Sequence, residues 1–323
     1  MIRRDPSGVS AHVGPEATVG IVVPTWNRAA GVRRCLQALD QLRYRPFFTI
    51  VVDNGSREEE RAILLEAAGQ RDSVEVLSLP ENRGFAGAVN VGLAVAFRRG
   101  ASFVLVLNDD AEVAADLVAA LVEAAAADPA AGVVAPRVVD AESGHEVSRG
   151  ERLWLPLVCL PRTWLRVRRR GPAAYAVSGV LGVAFLVTRA CYQRVGPLAD
   201  SFFAYYEEVD YWLRVRAAGL QILVVPSVAV RHAGFRGFAG GFTPLAAYLK
   251  ARNLPLLLRR HGRLVDWMFF VPTYAALIAA SAALYALRGR QRGVLTALSR
   301  GVTDAMCGVS GPPPLALAEG GGG

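Results

Sequence analysis

Three oxygen-bearing side chains, Asn108, Asp109 and Asp110, stand in a row after the apolar run 103–107. At the end of a buried strand such a row is unfavourable unless it is solvated or its charge is neutralised. A divalent cation bridging two phosphates neutralises it, and Mg²⁺ prefers one or two protein carboxylates plus phosphate oxygens and water. The plainer reading is a solvated helix cap. A second cluster is Phe202-Phe203-Ala204-Tyr205-Tyr206-Glu207-Glu208-Val209-Asp210-Tyr211-Trp212-Leu213-Arg214, with three carboxylates among six aromatics. At a helix N-terminus the dipole favours the anions, while repulsion and aromatic burial raise a carboxyl pKa. That combination suits a general base. Asp210 and Arg214 are spaced to pair on one helix face, so Asp210 reads as structural.

Weaker signals stand elsewhere. Asp53 ends the apolar run 47–52 and begins Asp53-Asn54-Gly55-Ser56. It can accept hydrogen bonds from a base or a ribose, or close an Asx turn that caps the next helix. Asn82-Arg83-Gly84-Phe85-Ala86-Gly87-Ala88-Val89-Asn90 lets a helix N-terminus approach a ligand, with Arg83 toward phosphate, or makes a tight turn and close helix packing. His232 follows Val228-Ala229-Val230-Arg231 and reads more readily as a packing residue than as a ligand. The first apolar run ends in Pro24-Thr25-Trp26-Asn27-Arg28 and lacks G-x-G-x-x-G. This argues against a dinucleotide-binding dehydrogenase, whose glycines admit a pyrophosphate to the backbone, and against a sugar-nucleotide pyrophosphorylase.

The elements positioning these residues are strands at 19–23, 47–52, 74–77 and 103–107, alternating with helices at 29–42, 58–68, 86–97 and 114–126. Continuous apolar strands between amphipathic helices predict a mostly parallel, Rossmann-like α/β sheet covered on both faces. Ligands of such sheets bind beyond the carboxyl ends of the strands, where the polar residues above fall. Residues 137–172 read as irregular, with a basic cluster at Arg162, Arg166 and Arg168 to Arg170. A strand at 180–187, a helix from near Glu207 and an edge run at 220–230 follow. Residues 1–17 read as a flexible arm and 308–323 as a disordered tail.

With 53% apolar and 20% charged residues, the 323-residue chain supports a substantial core. Its net charge of +8 fits a solvated surface, nucleic acid, anionic lipid or a nucleotide diphosphate. The basic residues do not interleave with aromatics as a stacking platform requires, which argues against nucleic acid. Cys35, Cys159, Cys191 and Cys307 are scattered and read as buried thiols in a reducing compartment. The N-terminus shows no secretory signal, so the catalytic part is expected in the cytoplasm.

Taken in order, the motifs V-V-P-T-W-N-R, V-V-D-N-G-S, N-R-G-F-A-G-A-V-N, L-N-D-D-A, F-F-A-Y-Y-E-E-V-D-Y-W-L-R and Ala251-Arg252-Asn253 ahead of Arg259-Arg260-His261 resemble family 2 glycosyltransferases. The look is that of the rhamnosyl- and galactofuranosyltransferase-like subgroup. The resemblance covers roughly residues 19–261 and implies a GT-A fold over 18–240. It implies a metal-dependent, inverting transfer from a UDP- or dTDP-sugar to a hydroxyl of a glycan, lipid-linked or small-molecule acceptor. Asp53 would contact the donor base, with Pro24, Thr25 and Asn27 lining that pocket. Asn82, Gly84 and Asn90 would surround the nucleotide and sugar, beside Asn108 and Asp109. Asp110 would be the main ligand of Mg²⁺ or Mn²⁺, and His232 a further one. Asn108 departs from the strict D-x-D form. Glu208 stands where the family usually has Asp and would be the base, with Glu207 beside it. A rival is an inactive, membrane-associated scaffold of the same fold, which is expected to have lost Asp110 or the Glu207–Glu208 pair.

Residues 267–287 carry no charged side chain and include seven alanines. A helix of that length spans about 30 Å, the thickness of a bilayer core. Arg259, Arg260 and Arg263 precede it and Arg288, Arg290 and Arg292 follow, giving no positive-inside direction. Residues 294–306 are amphipathic, with Leu295, Leu298, Val302 and Met306 on one face. A span, a re-entrant or interfacial helix, and a helical hairpin on the catalytic domain all remain open for the region 241–307. In the first two, the arginines would meet anionic headgroups at the cytoplasmic face. Self-association into a homo-oligomer also stays open.

Overall fold

A computed structural model describes residues 17–158, 167, 171–233, 243–287 and 292–318. The elements in chain order are β1 (Val19–Thr25), α1 (Ala29–Asp40), β2 (Phe47–Asp53), α2 (Glu58–Gly69), β3 (Val74–Ser78), α3 (Gly84–Arg98), β4 (Phe103–Leu107), β5 (Ala111–Val113), α4 (Leu117–Ala127) and β6 (Ala131–Asp140). They continue as β7 (Glu146–Ser148), β8 (Tyr175–Val177), β9 (Ala184–Thr188), α5 (Arg189–Val195), α6 (Glu207–Ala217) and β10 (Gln221–His232). The last helices are α7 (Pro244–His261), α8 (Leu264–Leu287), α9 (Arg292–Met306) and the short α10 (Leu315–Ala318).

The strands form one sheet in the order β3-β2-β1-β4-β9-β6-β10-β5, with β7 on β6 and β8 on β10. Its first four strands are parallel, because each is followed by a helix that returns the chain to the same edge. β9 departs from that rule. It runs antiparallel between β4 and β6, while β6 and β10 resume the common direction. β10, expected at an edge, pairs with β6 on one side and with β8 and then β5 on the other. Its residues feed both core clusters, Leu223 and Val225 one and Ile222 and Val224 the other, which is why an interior position suits it.

The expected irregular stretch, 137–172, contains β7 and the end of β6, and β8 follows just beyond it. These two short strands carry no readable period. The whole basic cluster (Arg162, Arg166 and Arg168 to Arg170), the N-terminal arm through residue 16, and Cys159 lie outside the described residues. Cys35 and Cys191 are free and buried as expected, whereas Cys307 is exposed.

β1 shows how the two faces are covered. Val19, Ile21 and Val23 pack in one cluster with Val32 and Leu36 of α1, and Val22 in the other with Val89 and Leu93 of α3. The helices after β10 pack on α6 and the segment before it through Phe202, Val209, Leu254, Leu257 and Phe270. Ala247 and Ala251 of α7 pack against Tyr285 of α8 and Val294 and Leu298 of α9. Residues 308–318, expected to be disordered, fold back on this bundle: Gly311 N donates to Ser201 O at 2.7 Å. α8 is long and apolar enough to cross a membrane, and only 11% of its most apolar stretch is buried. Leu264, Met268, Phe269, Val271 and Leu287 stand exposed along it.

Candidate active site

The carboxyl ends of β1 and β4 bring Thr25, Arg28, Asp109 and Asp110 together. Thr25 Oγ1 donates to Asp109 Oδ2 at 2.8 Å. Arg28, in the loop after β1, reaches Asp109 Oδ1 at 3.1 Å and Asp110 Oδ2 at 3.0 Å. The two carboxylates differ sharply in environment. Burial pushes the Asp109 carboxyl up to about 6 despite Arg28 and Thr25. Burial also works against the ionised form of Asp110, but the hydrogen bond and charge of His232, with Arg28, hold it at about 2.

His232 ends β10, beside β5, and its Nε2 lies 2.8 Å from Asp110 Oδ1. Asn108 Nδ2 lies 3.3 Å from the same nitrogen. Two lone pairs at the Asp110–His232 separation repel, so the pair needs a proton on Nε2 or a cation between them. Asn108 Oδ1, next to them, is buried and accepts no hydrogen bond. Among the described residues no three His, Cys, Asp or Glu side chains form a complete metal cage. Asp110 supplies a carboxylate that Mg²⁺ or Mn²⁺ accepts and His232 an imidazole that suits a transition metal such as Mn²⁺ better than Mg²⁺, so the remaining positions would fall to phosphate oxygens and water.

The acidic pair opens α6, with Glu207, Glu208 and Asp210 in its first turn and Glu207 and Glu208 buried. A Cβ built on Gly182 would lie 3.6 Å from Glu208 Cβ. The next residue, Val183, accepts a hydrogen bond from Asn108 N at 2.9 Å. The entry to β9 therefore sits between Glu208 and the Asn108–Asp110 row. This is what the antiparallel strand contributes to the site. Asp210 is structural, as the sequence indicates: its oxygens meet Arg214 Nε at 2.8 Å, Arg260 Nε at 2.9 Å and His261 Nε2 at 2.8 Å.

The segment before α6 is strained. Phe203, Tyr205 and Tyr206 all have positive φ, at 66°, 66° and 73°. Bulky residues rarely adopt this region, and such strain gathers at functional sites. No sequence signal announces it, because glycine is the residue that marks such turns.

The remaining expected nucleotide contacts divide. Pro24 is buried within β1. Asn27, at φ 53°, accepts from Arg57 N through Oδ1 at 2.9 Å and donates its own N–H to Ser56 Oγ at 2.9 Å. Asp53 closes the turn after β2. It is fully buried, with Oδ1 accepting from Ser56 N at 3.0 Å and Oδ2 from Arg61 Nε at 2.9 Å. Burial opposes its charge, but the bonds from Ser56 and Arg61 outweigh that and lower its pKa. Asn82 Oδ1 accepts from Asn54 Nδ2 at 2.9 Å and from Gly84 N at 2.8 Å. Gly84 has φ of 72°, and a Cβ there would stand 2.2 Å from Phe203 O. Asn90 ties α3 to Leu198, donating to its carbonyl at 2.9 Å and accepting from its N–H at 2.8 Å. Asn54, Asn82, Gly84 and Asn90 hold the strand ends and the 198–206 segment together. Arg28 is the site residue that sequence reasoning missed. It stood in the quoted motif, but only the fold brings it to the two aspartates.

Arg259 and Arg260, read as headgroup contacts, are engaged internally. Arg259 donates to the carbonyls of Ala305 and Met306 at the end of α9, and Arg260 pairs with Asp210. The Arg263 side chain stays 81% exposed.

Comparison with known proteins identifies the family and the fold. The profile of glycosyl transferase family 2 matches residues 20–183. An N-acetylglucosaminyl-diphospho-decaprenol L-rhamnosyltransferase of Mycobacterium tuberculosis is 27% identical over 75% of this chain and 85% of its own length. The dTDP-rhamnosyl transferase RfbF of Shigella flexneri is 20% identical over 69% of this chain and 74% of its own. Among solved structures, the mannosyltransferase PcManGT of Pyrobaculum calidifontis, in complex with GDP-Man and Mn²⁺, superposes with a TM-score of 0.56 at 19% identity, covering 90% of this chain and 87% of that one. The chain belongs to glycosyl transferase family 2 and is a glycosyltransferase built on the GT-A fold.

Proposed function

We propose that the protein transfers a sugar, with inversion, from a UDP- or dTDP-sugar to a hydroxyl of a lipid-linked or glycan acceptor at the cytoplasmic face of a membrane. The observation that carries this reading is the 2.8 Å approach of Asp110 to His232, with the unsatisfied Asn108 Oδ1 beside them, at the carboxyl edge of the sheet. A Mg²⁺ or Mn²⁺ ion held by Asp110 and His232 would act as a Lewis acid toward the departing diphosphate. Arg28 is placed to exchange its carboxylate partners for phosphate oxygens, adding fixed positive charge where negative charge develops. Glu208 takes the proton from the acceptor hydroxyl, and the freed oxygen attacks the anomeric carbon opposite the diphosphate. Glu207 shares the buried helix start with Glu208. Phe202 and Phe203 exclude water from that end of the site.

A rhamnosyl donor and a polyprenyl-diphosphate-linked acceptor fit the names of the mycobacterial and Shigella relatives. The exposed apolar side of α8 and the exposed Arg263 support work at a membrane surface. Calorimetry with UDP and dTDP, with and without Mn²⁺, on wild type and Asp110→Ala tests the site. Tight, metal-dependent binding that collapses in the variant is expected. A folded protein that binds neither diphosphate in the presence of metal would overturn the reading in favour of an inactive scaffold.

A further inference from the structure

We propose that Asn253, oriented by Arg252, is a positioning residue that holds the strained 203–206 segment and so aims the Glu207–Glu208 pair; this rests on the reading of Glu208 as proton acceptor. Asn253 is fully buried in the middle of α7. Its Nδ2 lies 2.9 Å from Phe202 O, 2.8 Å from Ala204 O and 2.8 Å from Tyr205 O. An amide has two hydrogens, so one of these three bonds is shared. All three carbonyls belong to the stretch containing the left-handed Phe203 and Tyr205 and leading into the left-handed Tyr206.

Arg252 fixes which way the amide points. It is fully buried, and its Nε donates to Asn253 Oδ1 at 2.9 Å. That leaves Nδ2 facing the carbonyls. The same guanidinium donates to Phe202 O at 3.0 Å and to Gly311 O at 2.7 Å. A backbone held in an unfavourable region persists only where its surroundings over-determine it. Here one side chain gathers the carbonyls immediately before Glu207. Asp210, one turn beyond, is gripped by Arg260 and His261 of the same helix. α7 therefore fixes both sides of the acidic pair.

The test compares wild type with Asn253→Asp and Asn253→Ala, using the full chain. Asp keeps the shape and the Arg252 contact but turns an acceptor toward three acceptors. Each variant is expected to lower kcat about ten- to hundredfold, the loss of one or two hydrogen bonds expressed as a rate. Mn²⁺-dependent binding of the nucleotide diphosphate should change less than about twofold, because Asp110 and His232 are untouched. Amide hydrogen exchange across 203–208 should speed up. Adding Tyr206→Gly to Asn253→Ala should recover part of kcat, since glycine enters positive φ without penalty. If Asn253→Ala does not fold, Asn253→Ser, retaining one donor, carries the same comparison with smaller changes in the same direction. An unchanged kcat, nucleotide affinity falling in step with kcat, or no recovery with Tyr206→Gly would overturn the proposal. Faster exchange at 203–208 with a silent Glu208→Gln would instead overturn the role of Glu208 and leave the holding role of Asn253 standing.

Discussion

Arg28 Nη2 lies 3.0 Å from Asp110 Oδ2, although the two residues are 82 positions apart. With its other nitrogen on Asp109, this guanidinium balances two buried carboxylates that would otherwise repel each other. Arg28→Ala should make Mn²⁺ bind about tenfold more tightly in the absence of nucleotide, because the carboxylates lose their competing cation. The same variant should weaken nucleotide diphosphate binding in the presence of metal. Titration calorimetry of the two ligands separately reads both directions.

Glu208→Gln removes the proton acceptor while keeping the size of the side chain. Transfer activity should fall about 10²- to 10⁴-fold, the usual contribution of general base catalysis. Binding of the nucleotide diphosphate with metal should stay intact. Glu207→Gln should have the smaller effect in the same assay, and the reverse order would exchange the two roles.

Gly84 begins α3 in the left-handed region with Phe203 O directly over the place of its missing Cβ. Gly84→Ala combines backbone strain with a clash against a carbonyl that cannot swing aside. The substitution should destabilise the protein by about 2 kcal/mol or more in urea unfolding.

Asp210 predicts an acid dependence. Burial raises its pKa, but the bond from His261 and the charges of Arg214 and Arg260 outweigh this and lower it below 3.8. The unfolded chain thus binds more protons at low pH. The stabilisation is fully present above 3.8 and is lost as pH falls through the lower, folded value. Near neutral pH, Asp210→Asn should be less stable than wild type by about 1.5–3 kcal/mol, the range for hydrogen bonds to a charged group. Thermal or urea unfolding of both proteins across the acid range should show this gap closing.

Phe269 and Met268 are exposed on α8, at 51% and 72%. A charge at either position leaves the packed side of the helix, with Phe270 and Tyr285, untouched. Phe269→Asp should leave the unfolding transition unchanged. It should also shift the protein from the vesicle fraction to the soluble fraction in flotation with anionic lipid. Equal flotation of variant and wild type would remove α8 from the membrane contact.

The chemistry at the strand ends was legible because a parallel sheet delivers its polar residues to one edge, and each apolar run announced where that edge lay. Asn108 to Asp110 stand out in this way, whereas the Glu207–Glu208 pair stands out as carboxylates among aromatics at the start of a helix. The direction of β9 was not legible, since an apolar run of its length reads the same upward or downward. β5, β7 and β8 have three residues each and are too short for any pattern. Asn82 and Asn90 were singled out as polar residues near a ligand edge. Their hydrogen bonds depend on Asn54 and Leu198, partners distant in the chain that no local spacing reveals. The tail after Gly308 has a disordered composition, yet Arg252 supplies a partner for the Gly311 carbonyl, and a partner outside the segment cannot be read from the segment.

Only Gly262 and Arg263 separate the end of α7, which grips Asp210, from the start of α8. Two residues leave little slack between the helix that steadies the acidic pair and the helix with the exposed apolar side. With α8 on a bilayer, so short a link would hold the reaction centre at a nearly fixed distance from the lipid, unlike a long tether. Such a link would make the enzyme a gauge, favouring an acceptor whose hydroxyl stands at that distance.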